Sequence, residues 1–249
     1  MTKKKGRILS IILYILGAFI ALIFAGSIIW ANFELPFYFD YTSAAVRTEN
    51  QGKSDLNCPI ILTTKETGII NPEIPNNTDK TLNPVFRGEI SYLGGIAREF
   101  EFKPTILPGE SSHIEIEVNE DDIVFYFMIL VRTFQFPTYK TPAQVGSCAI
   151  VMLPIPFLTG NQVYYLSLLV IILSFTVGIF LWKKYNHPLQ GQPQKTLNIM
   201  ILLAILLMAA IFSGIVGVWM LGLVLLVLIV LLIMVAIVFF SNSSRAADN

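Results

Sequence analysis

The chain has 249 residues, of which 54% are apolar and only 14% charged, and its 17 basic residues are balanced by 17 acidic ones. Soluble domains carry about a quarter charged residues, so this composition points to a membrane protein; it rules out a disordered chain, and the missing basic surplus argues against a nucleic-acid binder. Two cysteines and two histidines leave little material for metal or thiol chemistry.

Residues 1–7 carry Lys3, Lys4, Lys5 and Arg7 without an acid. The next 26 residues, Ile8 to Phe33, hold no charge, and the core 8–30 is long enough to cross the bilayer as a first helix. A cleaved signal peptide is the rival reading. The apolar stretch is longer than a signal needs, and Ile28-Ile29-Trp30-Ala31 is a poor cleavage site, so a retained anchor is preferred. Gly17, Ala21 and Ala25 recur at spacing four and form a candidate helix-packing face; background use of small residues is the plainer alternative.

Residues 31–57 read as a juxtamembrane connector. Phe33, Phe37, Tyr38, Phe39 and Tyr41 come first and suit the membrane surface, and a polar stretch runs on to Asn57. From 58 to 156 the pattern changes to short strands separated by turn residues: Pro59–Thr64, Gly68–Ile74, Asn83–Tyr92, Arg98–Lys103, His113–Asn119, Ile123–Phe136 and Val145–Leu153. His-Ile-Glu-Ile-Glu-Val-Asn at 113–119 is the cleanest period-two alternation. Ile123–Phe136 is apolar on both faces, as a covered central strand would be, although Ile123–Val131 could instead offer an apolar face to a partner. Seven strands in this length predict a sandwich of two antiparallel sheets.

The Asn76-Asn77-Thr78-Asp79 turn after the second strand, and Leu107-Pro108-Gly109-Glu110-Ser111 before the alternating strand, resemble the immunoglobulin-like domains displayed on bacterial and archaeal surfaces. That resemblance covers about 40% of the chain and implies binding, adhesion or spacing rather than catalysis. No Trp lies between Ala31 and Asn161, which departs from the antibody-type branch. Cys58 and Cys148 bracket the block, and in an oxidising compartment they are expected to form a disulfide worth roughly 4–4.7 kcal/mol of loop-closure entropy. Two free buried thiols are the alternative.

A second span follows at 163–182, framed by Tyr164, Tyr165, Trp182 and Tyr185, with Ser174 and Gly178 as a second small-residue pair. The polar stretch 183–196 carries Lys183, Lys184 and Lys195 with no acid. The apolar block Leu197–Phe240 is about twice one crossing, and Ser213-Gly214-Ile215-Val216-Gly217 interrupts it, which predicts a hairpin of two spans, 197–213 and 218–240, with Ala210 and Gly214 as a further small pair. A re-entrant hairpin is the alternative. Residues 241–249 form a tail. Between the basic flanks, residues 31–162 hold nine basic and sixteen acidic residues. Basic flanks stay in the cytoplasm, so both termini are expected inside and residues 31–162 outside a plasma (inner) membrane.

The expected fold is therefore an α+β membrane protein, with an extracytoplasmic immunoglobulin-like sandwich inserted between the first and second of four spans. The spans hold no Asp, Glu, Lys, Arg or His, which argues against a pump, a proton-coupled carrier or a voltage sensor. His113 is the only histidine in the outer block, too few for a copper or zinc site, and no nucleophile elbow, phosphate loop, dinucleotide fingerprint or zincin helix appears. Glu120-Asp121-Asp122 offers oxygen ligands for calcium but reads more simply as a solvated turn, and Asn76-Asn77-Thr78 matches a glycosylation acceptor. The reading is a non-enzymatic display or assembly protein without cofactor, nucleic acid or small-molecule substrate. Its partners are the lipid bilayer and other membrane or surface proteins, further copies of itself included. An accessory or permease-like subunit of a transport complex is the alternative. A site assembled from the connector and Pro137-Thr138-Tyr139-Lys140 is the enzymatic one.

Overall fold

The computed structural model describes residues 2–42, 52–53, 56–93, 97–138 and 143–247. The chain divides into two compact units, a helix unit of Met1–Ile29 with Tyr165–Asn249 and a β unit of Trp30–Tyr164.

Three helices are long and apolar enough to cross a membrane: α1 (Lys3–Thr42), α2 (Gly160–Tyr185) and α3 (Gln192–Ile215). A fourth, α4 (Trp219–Ala247), takes up the rest of the apolar block, which runs in sequence to Phe240. The interruption of the last apolar block falls where glycine geometry requires it. Gly217 has φ +77°, the Val218 N–H donates to the Ser213 carbonyl (3.0 Å), and the Ser213 hydroxyl donates to the Val218 carbonyl (2.7 Å), closing the corner between α3 and α4. The stretch read as the 183–196 loop is mostly helical. α2 runs to Tyr185, and α3 opens at Gln192 with Pro193 in its first turn, where a missing N–H costs nothing.

In the β unit the strands are β1 (Gly52–Lys53), β2 (Leu56–Asn57), β3 (Ile61–Thr63), β4 (Gly68–Pro75), β5 (Phe86–Ile90), β6 (Arg98–Phe102), β7 (Ser111–His113), β8 (Ile116–Val118), β9 (Met128–Gln135) and β10 (Gln144–Leu153). One sheet has the order β1-β10-β9-β5-β6, with β3 also on β10; the other has β4 at its centre between β2 and the β7–β8 pair. The pairings are antiparallel except those of β1 and β3 with β10. Alternation works as expected on β4 and β8, whose inward residues Ile70, Ile74, Ile116 and Val118 meet Phe86, Ile90, Ile129, Val131, Ile150 and Met152 in one core.

Other elements depart from the sequence reading: the strand expected over Ile123–Phe136 begins only at Met128, after a turn with positive φ at Phe125 and Tyr126. The strand expected over 113–119 is broken at Ile114–Glu115, opposite Pro72 of β4, which has no N–H to give the ladder. Residues 31–42, read as connector, are instead the last turns of α1, continued through Pro36. The rings of Trp30, Phe33 and Phe37 stack along one helix face at 5.6 and 5.0 Å, the i, i+3, i+7 geometry that only a helix supplies.

Candidate functional site

The sulfurs of Cys58 and Cys148 are bonded, with Cα atoms 6.5 Å apart across 90 positions of sequence. Cys58 lies just past β2, Cys148 sits in the middle of β10 opposite Val131, and both pack against the sandwich core together with Leu56. The bond therefore ties the first strands of the β unit to its last.

The second face of β9 is covered as well, as its apolar sequence leads one to expect. Residues 129 and 131 point into the core, yet Met128, Leu130 and Arg132 on the other face are buried too. The cover includes the end of α1: Phe39 is fully buried, and its ring lies 5.0 Å from the Arg132 guanidinium carbon, with the Phe134 ring at 4.8 Å. Beneath it Arg132 donates to Glu89 of β5 through Nε (3.2 Å) and Nη2 (2.9 Å), cross-strand partners in register. Both charges are buried, so each exists by virtue of the other. The only signal in sequence is a lone cation inside Met-Ile-Leu-Val-Arg-Thr-Phe-Gln, which marks a position needing an acid opposite.

A second charged contact fixes the start of α2. The Glu66 carboxylate accepts from the Gly160 N–H (2.7 Å) and from the Thr63 N–H and hydroxyl (3.3 Å each). An anion at a helix N-terminus meets unpaired N–H groups and the positive end of the dipole. A Cβ on Gly160 would lie 1.9 Å from the Ile61 carbonyl oxygen, so only glycine brings the helix this close to β3. Neither residue was singled out from sequence, because nothing local joins positions 94 apart.

The acidic run closes on itself. Glu120–Asp122 is a single 3-10 turn: the Asn119 side chain takes the Asp121 N–H (2.9 Å), and the buried Asp122 takes the Asn119 N–H (3.1 Å) and Arg98 Nη2 (3.1 Å). Burial holds the Asp122 carboxyl above the ordinary carboxylate range, against the lowering effect of the Asn119 N–H and Arg98; Asp121 adds to the rise. Asn76, the acceptor residue of the glycosylation motif, is buried: its amide donates to the Lys80 (2.8 Å) and Ile106 (2.9 Å) carbonyls and its oxygen accepts from Thr78, so the motif builds a turn. His113 is exposed on β7. Among the described residues no three His, Cys, Asp or Glu side chains come together as a metal site. Tyr139 and Lys140 of the loop named above lie outside the described residues.

In the helix unit, α1 meets α2 closely. Ser10 Oγ donates to the Gly178 carbonyl (2.7 Å), and a Cβ on Gly17 would lie 2.7 Å from Ser174 Cβ. A Cβ on Gly178 would lie 3.2 Å from Tyr14 Cβ, and one on Gly214 would lie 3.0 Å from Ile28. Ala21, Ala25 and Ala210 are fully buried. The Tyr14 hydroxyl donates to the Met200 carbonyl (2.6 Å), linking α1 to α3. Ser10 and Gly222, where an added Cβ would lie 2.8 Å from Ile29, belong to the same seams and stand outside the small-residue rows picked by spacing, so sequence spacing misses them.

No family model matches the sequence, and no curated protein matches it either. Among solved structures the chain is similar over 41% of its length to the CARDB domain of a Pyrococcus furiosus protein in complex with di-metal ions, at 6% identity over 93% of that chain, with a TM-score of 0.32. It is similar over 46% of its length to superoxide reductase (neelaredoxin) from Ignicoccus hospitalis, at 5% identity over 92% of that chain and a TM-score of 0.30. It is similar over 41% to a Pseudomonas fluorescens alkylpurine DNA glycosylase bound to DNA containing an abasic site analogue, at 15% identity, a TM-score of 0.29 and only 30% of that chain's length. At TM-scores of this size none of their ligands or activities carries over to this chain.

Proposed function

We propose that this is a non-enzymatic, multi-pass membrane protein that displays an immunoglobulin-like β-sandwich on the oxidising side of a plasma (inner) membrane, as an assembly surface for other membrane or surface proteins or for further copies of itself. The observation that carries the reading is the Cys58–Cys148 bond, because a structural disulfide belongs to a compartment outside the cytosol. The charge pattern agrees: the bonded segment is acidic, and the stretches flanking it beyond α1 and α2 are basic. The strand order, with β10-β9-β5 in one sheet and β4 beside β7–β8 in the other, is compatible with an immunoglobulin-type Greek key and supports the reading. Two predominantly antiparallel sheets packed on one core make a rigid scaffold that presents its loops at both ends.

The test is protease treatment of intact cells expressing the chain with an N-terminal epitope. The expected result is cleavage within residues 58–156 after disulfide reduction, with the epitope protected until the cells are opened. Loss of the epitope with the β unit spared would reverse the orientation and remove the proposal. Chemical crosslinking in mild detergent then separates self-assembly from a hetero-complex.

A second reading, an accessory or permease-like subunit of a transport complex, draws on the Glu66–Gly160 contact, which makes the first turn of α2 part of the β unit. It ranks behind the first because only six residues, Asn186–Gly191, separate α2 from α3, too few for a helix that engages a cytoplasmic ATPase. A copurifying ATPase would favour it.

A further inference from the structure

The two ends of the sandwich are unlike. Register brings the end of β5, the start of β9 and the end of β10 together: Ile90 lies opposite Val131, and Val151 opposite Met128. The loops after β5, before β9 and after β10 therefore share one end, and the Ser91 hydroxyl, which donates to the Asp122 carbonyl (2.7 Å), holds two of them together. That end exposes Tyr92, Leu93 (75%), Phe125, Tyr126 (100%) and Phe157 (79%). At the opposite end the described loops expose one large apolar side chain, Leu107.

The concentration is built rather than incidental. Phe125 and Tyr126 have φ of +50° and +71°, the left-handed region that hairpin tips normally assign to Gly or Asn. Two aromatics are kept where turn chemistry favours small residues, and the backbone aims the second wholly outward. Phe125 is braced by an edge-on contact with Tyr38 at 6.2 Å, and the Tyr92 N–H donates to the Tyr38 hydroxyl (3.4 Å), so the cluster is ordered before anything meets it.

We propose that this aromatic end rests in the headgroup layer of the bilayer, with Tyr126 and Phe157 as its points of insertion. The inference rests on reading α2 as membrane-spanning. Phe157 lies three residues before Gly160, where α2 begins, so chain connectivity keeps it within a short reach of whatever α2 enters. Rings with an apolar body and, in Tyr, a wet hydroxyl concentrate at that depth. Glu120 and Asp121 are exposed at the same end, so attraction to anionic lipid is not what seats it, and anionic lipid does not strengthen the contact.

The full chain, reconstituted in phosphatidylcholine vesicles, is spin-labelled at Tyr126→Cys, Phe157→Cys, Leu107→Cys and Leu173→Cys in turn; the native cysteines are bonded and take no label. Collision with dissolved oxygen against a water-soluble nickel chelate reads depth. The expected oxygen-to-nickel ratio at 126 and 157 is several-fold above that at 107, and is not raised when anionic lipid is added. Ratios at 126 and 157 equal to that at 107, with position 173 of α2 deep in lipid, overturn this inference and leave the membrane-spanning reading standing. A water-like ratio at 173 overturns both. Shielding of 126 and 157 from both reagents assigns the surface to a protein and overturns the lipid contact. Two independent positions guard against one substitution misfolding.

Discussion

Removing Arg132 tests whether the covered face of β9 is held by charge pairing or by packing alone. Arg132→Met keeps the aliphatic stem and leaves Glu89 buried without its partner in a site closed by Phe39, Phe134 and the sheet. Stranding one partner of a buried pair costs about 3–5 kcal/mol, and the lost stacking of the guanidinium on two rings adds about 0.5–2 kcal/mol. Replacing both, Arg132→Met with Glu89→Leu, removes the stranded charge and is expected within about 1 kcal/mol of the parent or above it. At about 2–4 °C per kcal/mol for a unit above 100 residues, the single variant lowers the β-unit transition by at least about 6 °C, and the double variant restores it. The assay is strand-specific circular dichroism of the full chain in mild detergent, backed by pulse proteolysis in urea. If the double variant melts as low as the single one, the pair is not what matters, and volume or stacking on Phe39 is the true determinant.

Three further outcomes are expected. Cys58→Ser removes a cross-link spanning 90 positions, worth about 4.6 kcal/mol in the chain-entropy account, so the β unit should melt lower without reductant; an unchanged melt, with two titratable thiols in the parent, removes the bond from the picture. Gly160→Ala forces a Cβ against the Ile61 carbonyl and should cost about 1–3 kcal/mol, whereas Gly26→Ala, with no atom within 4 Å of its added Cβ, should be neutral or better; equal effects would deny the close seating of α2 on β3. Burial raises the native Asp122 carboxyl above its unfolded value, so its contribution to stability is present below roughly pH 4 and is lost as pH rises through the raised native value; Asp122→Asn should flatten the melting-temperature profile in that window, and an unaltered slope would count against the burial argument.

What was legible in sequence is local or periodic. Gly214 and Gly217 stand out of an apolar run, so the α3–α4 corner could be placed; Ile70, Ile74, Ile116 and Val118 alternate strictly, so their strands and inward faces could be read. The two cysteines had only each other as a partner. What was not legible depends on contacts across long separations. Glu66 meets Gly160 across 94 positions and Arg132 meets Glu89 across 43, and no local pattern encodes either. The extension of α1 through Pro36 is a further case. Proline removes an intrahelical hydrogen bond and locally disfavours a helix, yet α1 runs past it to Thr42, with Phe39 fully buried beyond it.

That packing changes where the β unit begins. The sequence reading starts the sandwich at Cys58, but β9 is buried on both faces, and the layer over Met128, Leu130 and Arg132 includes residues from before position 42. A fragment starting at Cys58 would lose the Phe39 ring, fully buried in the intact chain, and truncation of a buried Phe alone costs about 3–5 kcal/mol, a large part of the stability of an ordinary domain. It would also bare an apolar strip beside an ion pair that depends on dry surroundings. A fragment of residues 30–164 should therefore fold and melt cooperatively, while 58–164 should bind a hydrophobic dye and aggregate. Equal, cooperative melting of the two would mean that the end of α1 merely lies against the sheet, and that the sandwich is complete without the helix that leads into it.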